Sequence, residues 1–228
     1  MKPRERFDLE LERLKDAVMV LGSQVENAII DSVRSLKERD AETARRIIAQ
    51  DRLVNERRFE LEAEALALIA TQQPMAGDLR TIAAVLDIAS ELERIGDYAK
   101  GIARINLMIG RQPLIKPLVH LPVMAAKARE MLHQSLEAFT TGDTDLAREV
   151  PEQDDEVDVL YNRVYRGLLE AIMEDASRID QANFLLWAAH NLERAADRVT
   201  NICERVIFTV TGEMVEMDIE ETGVESIG

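Results

Sequence analysis

Leu92-Glu93-Arg94-Ile95-Gly96-Asp97-Tyr98-Ala99-Lys100-Gly101-Ile102 and Leu192-Glu193-Arg194-Ala195-Ala196-Asp197-Arg198-Val199-Thr200-Asn201-Ile202 carry the same Leu, Glu, Arg, Asp and Ile, 100 residues apart. Asp40, Ala44, Asp51 and Val54 recur in the same way at Asp143, Ala147, Asp154 and Val157, 103 residues on. The difference between the two offsets falls in the turn around Pro74, where insertions and deletions cost least. Two registers of this kind mark an internal repeat, so the chain reads as one unit duplicated.

The repeated unit is helical. Leu79, Ile82, Ala83, Leu86, Ala89, Leu92, Gly96, Ala99 and Ala103 fall on one side of a helix that starts with Asp78 as its cap and stops at Gly110. Upstream of Pro74, Asp40 caps a helix running to about Ile69, with Val54, Leu61, Ala65, Leu68 and Ile69 inward. Before that, Phe7, Leu11, Leu14, Val18, Leu21, Val25, Ala28 and Ser32 alternate steps of four and three, the seam of a bundle helix. Three helices joined by short turns form an antiparallel bundle. Pro113, Pro117 and Pro122 then interrupt the chain, and the pattern restarts at about Val123. The second unit has a turn at Gly142-Asp143, a break or kink at Pro151 and a last helix ending near Gly212. The expected architecture is all-α: a first three-helix bundle over residues 1–112, a Pro-rich linker over 113–122, a second bundle over 123–212 and an acidic tail over 213–228, which reads as frayed.

Composition agrees and narrows the function. Aromatic residues make up 4% and charged residues 31%, which favours long helices over β-sandwiches. A net charge of −15 repels nucleic-acid phosphates and anionic lipid, so binding to either is disfavoured. The body stays acidic even without Glu213, Glu216, Asp218, Glu220, Glu221 and Glu225. Cys203 is the single cysteine, which excludes an internal disulfide and suits a reducing compartment. The N-terminus has no apolar core of a signal peptide, and no uncharged run approaches the ~20 residues of a bilayer span. No direct membrane insertion is expected.

One constellation points to chemistry. Glu93 and Asp97 lie four apart, so their carboxylates share a helix face about one turn apart, and Glu193 with Asp197 repeats this. In an antiparallel hairpin, residues equidistant from the turn stand at one height. With the first turn centred on Pro74, Asp51 and Asn55 face Asp97 and Glu93; with the second centred on Asp175–Ala176, Asp154 and Asp158 face Asp197 and Glu193. Oxygen ligands in this number suit a hard divalent cation, with the second unit favoured because Asn55 weakens the first. The alternative is that these acids are solvated surface residues or partners of Arg94, Arg194 and Arg198.

Gln72-Gln73-Pro74-Met75-Ala76-Gly77-Asp78-Leu79-Arg80, Glu93-Arg94-Ile95-Gly96-Asp97 and Asn191-Leu192-Glu193-Arg194-Ala195-Ala196-Asp197-Arg198-Val199-Thr200-Asn201-Ile202-Cys203 resemble the characteristic stretches of the PhoU family, and the resemblance covers nearly the whole chain. It implies a cytoplasmic, often dimeric protein of two three-helix bundles that represses the phosphate-starvation response and modulates phosphate uptake. The partners it implies are the phosphate ABC transporter, through its ATPase subunit, and a sensor histidine kinase. It also implies divalent metal (iron, manganese, magnesium or zinc) bound through paired E/D-x-x-x-D motifs, here Glu93 with Asp97, Glu193 with Asp197, and Asp154 with Asp158. Two departures stand out: Ala196 replaces the glycine of Gly96, and Gly101 stands where the second repeat has Asn201.

Other candidates carry less. Glu130-x-x-His133 has di-iron spacing but occurs once, and such sites need two of these motifs. His120 in the linker, His190 beside Trp187, and Cys203 on a core helix read as structural. There is no Gly-rich phosphate loop, no Ser/His/Asp pattern and no basic, aromatic-interleaved stripe. The competing function is an all-α metal-dependent phosphohydrolase, which would need basic residues beside the acids to grip phosphate. The expectation is a regulator, not an enzyme.

Overall fold

The computed structural model describes residues 3–217; the expected acidic tail beyond residue 217 lies outside them. The described chain is helical and contains no strand. Helix α1 spans Pro3–Glu38, α2 Ala41–Gln72, α3 Ala76–Ile109, α4 His120–Thr141, α5 Thr144–Glu149, α6 Asp154–Glu174 and α7 Ile179–Thr211. Short 3-10 turns, Pro151–Gln153 and Ala176–Arg178, precede α6 and α7.

Local chemistry sets the helix ends. Asp40 accepts from the backbone N–H groups of Glu42 and Thr43 at 2.9 and 3.0 Å, and its repeat mate Asp143 accepts from Asp145 and Leu146 at 3.0 Å. Both fill donors that a helix start leaves open. Gly110, Gly142 and Gly212 close α3, α4 and α7 with φ of 64°, 70° and 81°, a region that L side chains enter only under strain. Two boundaries differ from the sequence reading. Asp78 is not the cap of α3; Met75 is, and Asp78 in the first turn reaches back to accept from the Met75 N–H at 3.1 Å. The linker ends before His120, so Pro122 sits in the first turn of α4, where its missing N–H removes no intrahelical bond. Pro151 does split the fifth predicted helix, giving α5 and α6.

Helices α1 and α3 of the first unit pack on α4 and α7 of the second, with α2 and α6 on the two flanks. The largest seam is α3 against α7, and its cross-links show the two helices to be antiparallel. Arg80 meets Thr209, Asp87 meets Arg205, Glu91 meets Arg198 and Tyr98 meets Arg194, so numbers rise on one helix as they fall on the other. One large apolar core runs through both units, with Leu21, Ile88, Leu92, Ile95, Met124, Leu136, Leu185 and Leu192 almost fully buried, and a small satellite of Ala44, Ile47 and Ala103 lies between α2 and α3. Two glycines lie against side chains of the other unit: a Cβ on Gly22 would lie 2.2 Å from Leu136 Cδ1, and one on Gly101 would lie 3.1 Å from Asn191 Nδ2. Polar ties hold the connections. Asn106 Nδ2 donates to the carbonyls of Ser35 and Asp40, each at 2.9 Å, and Arg39 donates to those of Gly110 and Gln112. Buried Gln181 accepts from the Ile115 N–H at 2.6 Å and donates to the Pro113 carbonyl at 3.0 Å. The linker is thereby fixed to the start of α7.

Candidate functional site: two unequal acidic faces

In the first unit Asp51 on α2 and Asp97 on α3 do stand at one height, and the group between them is an ammonium. Lys100 Nζ lies 2.6 Å from Asp51 Oδ2 and 2.5 Å from Asp97 Oδ1. The lysine side chain is 18% exposed and that of Asp51 10%, so the contact is partly withdrawn from water and correspondingly strong. Asn55 Nδ2 donates to the Asp51 carbonyl at 3.1 Å and approaches Oδ2 at 3.4 Å, while Asp51 Oδ1 is buried with no hydrogen-bond partner among the described residues. Burial, then the neighbouring Asp97 charge, pushes the Glu93 carboxyl up, with Arg58 acting against them. Burial pulls Lys100 down, but its hydrogen bonds to Asp51 and Asp97 outweigh this and hold it above the ordinary lysine range.

The three arginines named from the sequence act mainly elsewhere. Arg94 and Arg198 both approach Glu91, at 3.9 and 3.6 Å, and Arg194 lies over the Tyr98 ring at 5.0 Å. The hydrogen bond to Tyr98 raises Arg198 first, followed by the charge of Glu91, with Asp197 a lesser influence.

In the second unit Asp154 and Asp158 on α6 and Glu193 and Asp197 on α7 line one cavity of about 750 Å³, together with Asp155, Glu152, Arg148, Thr200 and Met217. Asp154 and Asp155 lie in the first turn of α6, where the helix dipole favours negative charge. Glu193 Oε2 lies 3.0 Å from His190 Nδ1. Burial, then the charge of Glu193, raises the phenol of Tyr161. The position matching Lys100 is Thr200, buried and neutral. Residues 213–217, read from the sequence as frayed tail, instead fold back: the Met217 N–H donates to Glu204 Oε1 at 2.8 Å, and the side chain reaches the cavity.

The two faces answer the metal expectation differently. The second offers an all-oxygen donor set, the kind hard divalent cations take. The first does not fit, because its carboxylates already hold an ammonium. Among the described residues, no three His, Cys, Asp or Glu side chains are already drawn together as a coordinating group. Lys100, Glu91 and Met217 escaped the sequence reading. The 100-residue offset signals the first, since it pairs Lys100 with Thr200.

Of the other sequence candidates, His133 Nδ1 sits 3.2 Å from Glu26, joining α4 to α1, and burial pushes the Cys203 thiol up to about 12. No helix of the described residues is long and apolar enough to cross a membrane.

Two units of three long helices each, α1–α3 and α4, α6 and α7, each carrying an acidic face between its last two long helices and joined across an antiparallel α3–α7 seam, define a duplicated helical-bundle protein. The family model of the PhoU domain matches residues 18–105 and, a second time, residues 121–206, and the chain belongs to the PhoU family. It is 35% identical over 216 residues to the phosphate-specific transport system accessory protein PhoU homolog of Clostridium acetobutylicum, covering 94% of this chain and 99% of that one. With the accessory protein PhoU of Escherichia coli it shares 34% over 208 residues, 91% of this chain and 86% of the relative. The crystal structure of the phosphate transport system regulatory protein PhoU from Streptococcus pneumoniae superposes with a TM-score of 0.85 at 30% identity, covering 92% of this chain and all of that one. PhoU from Pseudomonas aeruginosa gives 0.84 at 32% identity, covering 91% and 100%.

Proposed function

We propose that this chain regulates phosphate uptake and phosphate signalling: a cytoplasmic, homodimeric adaptor that restrains the phosphate-starvation response by engaging the ATPase subunit of a phosphate ABC transporter and a sensor histidine kinase. The observation that carries the reading is end-to-end similarity to relatives whose names make them accessory to phosphate-specific transport. Surface chemistry is compatible with docking and poorly suited to catalysis. The cavity of the second unit sets one arginine, Arg148, among many acids, which is a weak grip for a phosphate ester. The buried thiol stays protonated near neutral pH, so it supplies no nucleophile.

Asp154, Asp158, Glu193 and Asp197 are the residues that would hold a divalent cation, which would neutralise their mutual repulsion and stiffen the α6–α7 pair. Deleting the gene is expected to derepress phosphate-responsive genes in phosphate-replete medium, and tagged protein is expected to bring down the transporter ATPase or the kinase. Unchanged expression in the deletion strain would refute the regulatory reading. Nucleotide turnover with Mg²⁺ or Mn²⁺ that Glu193→Gln abolishes would replace it with the phosphohydrolase.

A further inference from the structure

We propose that Lys100 is a built-in cation that closes the acidic face of the first repeat to divalent metal, making the two repeats chemically unequal. The ammonium sits between the two carboxylates that a metal would need, 2.6 Å from Asp51 and 2.5 Å from Asp97. A divalent ion binds carboxylate oxygen at about 2.0–2.6 Å, so it competes for the same oxygens and the same space. Displacing the lysine would leave its charge, on a side chain only 18% exposed, beside a dication. The Asp51 side chain is nine-tenths buried and its Oδ1 accepts no hydrogen bond from the described residues, so the ammonium on Oδ2 is the cation that this buried carboxylate faces. In the second repeat Thr200 stands at the matching place, with no charge to offer. The two faces therefore differ at this position, an ammonium on the first and a neutral hydroxyl on the second.

For the second face alone, this rests on the metal reading given above, and the experiment separates the two. Chelator-stripped full-length protein is titrated with Mn²⁺, following free ion by electron paramagnetic resonance and melting temperature in parallel. In D197N, which disables the second face, Lys100 should leave no saturable Mn²⁺ binding at the first. Adding K100T, the residue the second repeat carries, should create about one equivalent, and adding D97N to that pair should remove it. K100Q serves as a second neutral variant should K100T fold poorly, and D197N with Lys100 intact needs neither. Saturable binding in D197N that D97N abolishes would overturn the proposal, as would folded K100T/D197N and K100Q/D197N proteins that gain no site. A wild-type chain that binds nothing, with a site appearing in K100T, would sink the second-face reading and leave the lysine proposal standing.

Discussion

Arg198 of α7 crosses the central seam to Glu91 of α3, with Nη1 3.6 Å from Oε2 and both side chains mostly buried. Arg94 approaches the same carboxylate from its own helix. The second repeat has Asn191 at the place of Glu91, so this cross-repeat tie uses an acid that only one unit owns. Glu91→Gln is expected to lower unfolding free energy by about 1 kcal/mol in urea titrations, since it removes the charge that faces both arginines at a mostly buried position. A double-mutant cycle with Arg198→Gln should return a coupling of about 1 kcal/mol. Additive effects would mean that the pair contributes nothing specific to the seam.

The two close-approach glycines should respond differently to the same methyl. At Gly22 the added Cβ would meet Leu136 Cδ1 at 2.2 Å, and Leu136 is fully buried. Its side chain would have to leave its rotamer inside a close-packed core, so Gly22→Ala is expected to cost about 1–3 kcal/mol despite its better helix propensity. At Gly101 the neighbour is the amide end of a half-buried Asn191, 3.1 Å away, which can move aside. Gly101→Ala is expected to stay within about 0.5 kcal/mol of wild type, because helix propensity offsets the contact. Chemical denaturation of both variants checks the contrast, and a costly Gly101→Ala would show that the α3–α7 spacing cannot yield.

Gln181 fastens the linker to the start of α7. It is 7% exposed and satisfies a donor at Ile115 and an acceptor at Pro113. Gln181→Leu keeps the volume but leaves both backbone groups without their partner, with an expected loss of about 2–4 kcal/mol. Limited proteolysis should then cut within residues 111–119 faster than in wild type. Unchanged cleavage would place the linker's order in Lys116, which donates to the Gly167 carbonyl at 3.0 Å.

The sequence showed the helices, the duplication and the height of Asp51 against Asp97, because all three follow from period and offset. The Asp40 and Asp143 caps were equally legible, as a short acceptor before an apolar run leaves few alternatives. Lys100 was not, for a physical reason: three residues from Asp97 it reads as an ordinary solvated helix lysine. Only the approach of α2 brings Asp51 to the same nitrogen. Glu91 was missed likewise, since its partner Arg198 lies across a seam between units that periodicity alone does not order. Met217 lies in a stretch whose acids read as tail, and its return is held by the bond to Glu204 and by packing of Val215 and Met217 against the core.

The Lys100 bridge also sets an alkaline limit. Its folded-state pKa is raised above the ordinary value of 10.5. A cation stabilised in this way contributes fully below the unfolded value, and the contribution is lost as pH rises through the higher folded value. Melting temperature measured from pH 8 to above 10.5 should therefore fall more steeply in wild type than in K100T at the top of that range. Parallel curves would mean that the bridge adds no stability.

The acidic face of the second repeat has no lysine among its lining residues. Asp154, Asp158, Glu193 and Asp197 share one cavity, and like charges so placed oppose folding unless something neutralises them. Thr200 brings no charge, and Arg148 is the one base among the lining residues. If a divalent ion neutralises the face, Mn²⁺ added to chelator-stripped protein raises stability by about 2.7 kcal/mol at one hundred times its Kd. For a chain of this size that is about 5–11 °C in Tm. Asp197→Asn should remove most of the rise, while Asp97→Asn should leave it intact, because the first face is already held by Lys100. A Tm that ignores Mn²⁺, Fe²⁺ and Mg²⁺ but climbs with monovalent salt would assign the relief to screening and to Arg148 instead. The face would then be a charged docking surface and not a metal centre, with the regulatory function unaltered.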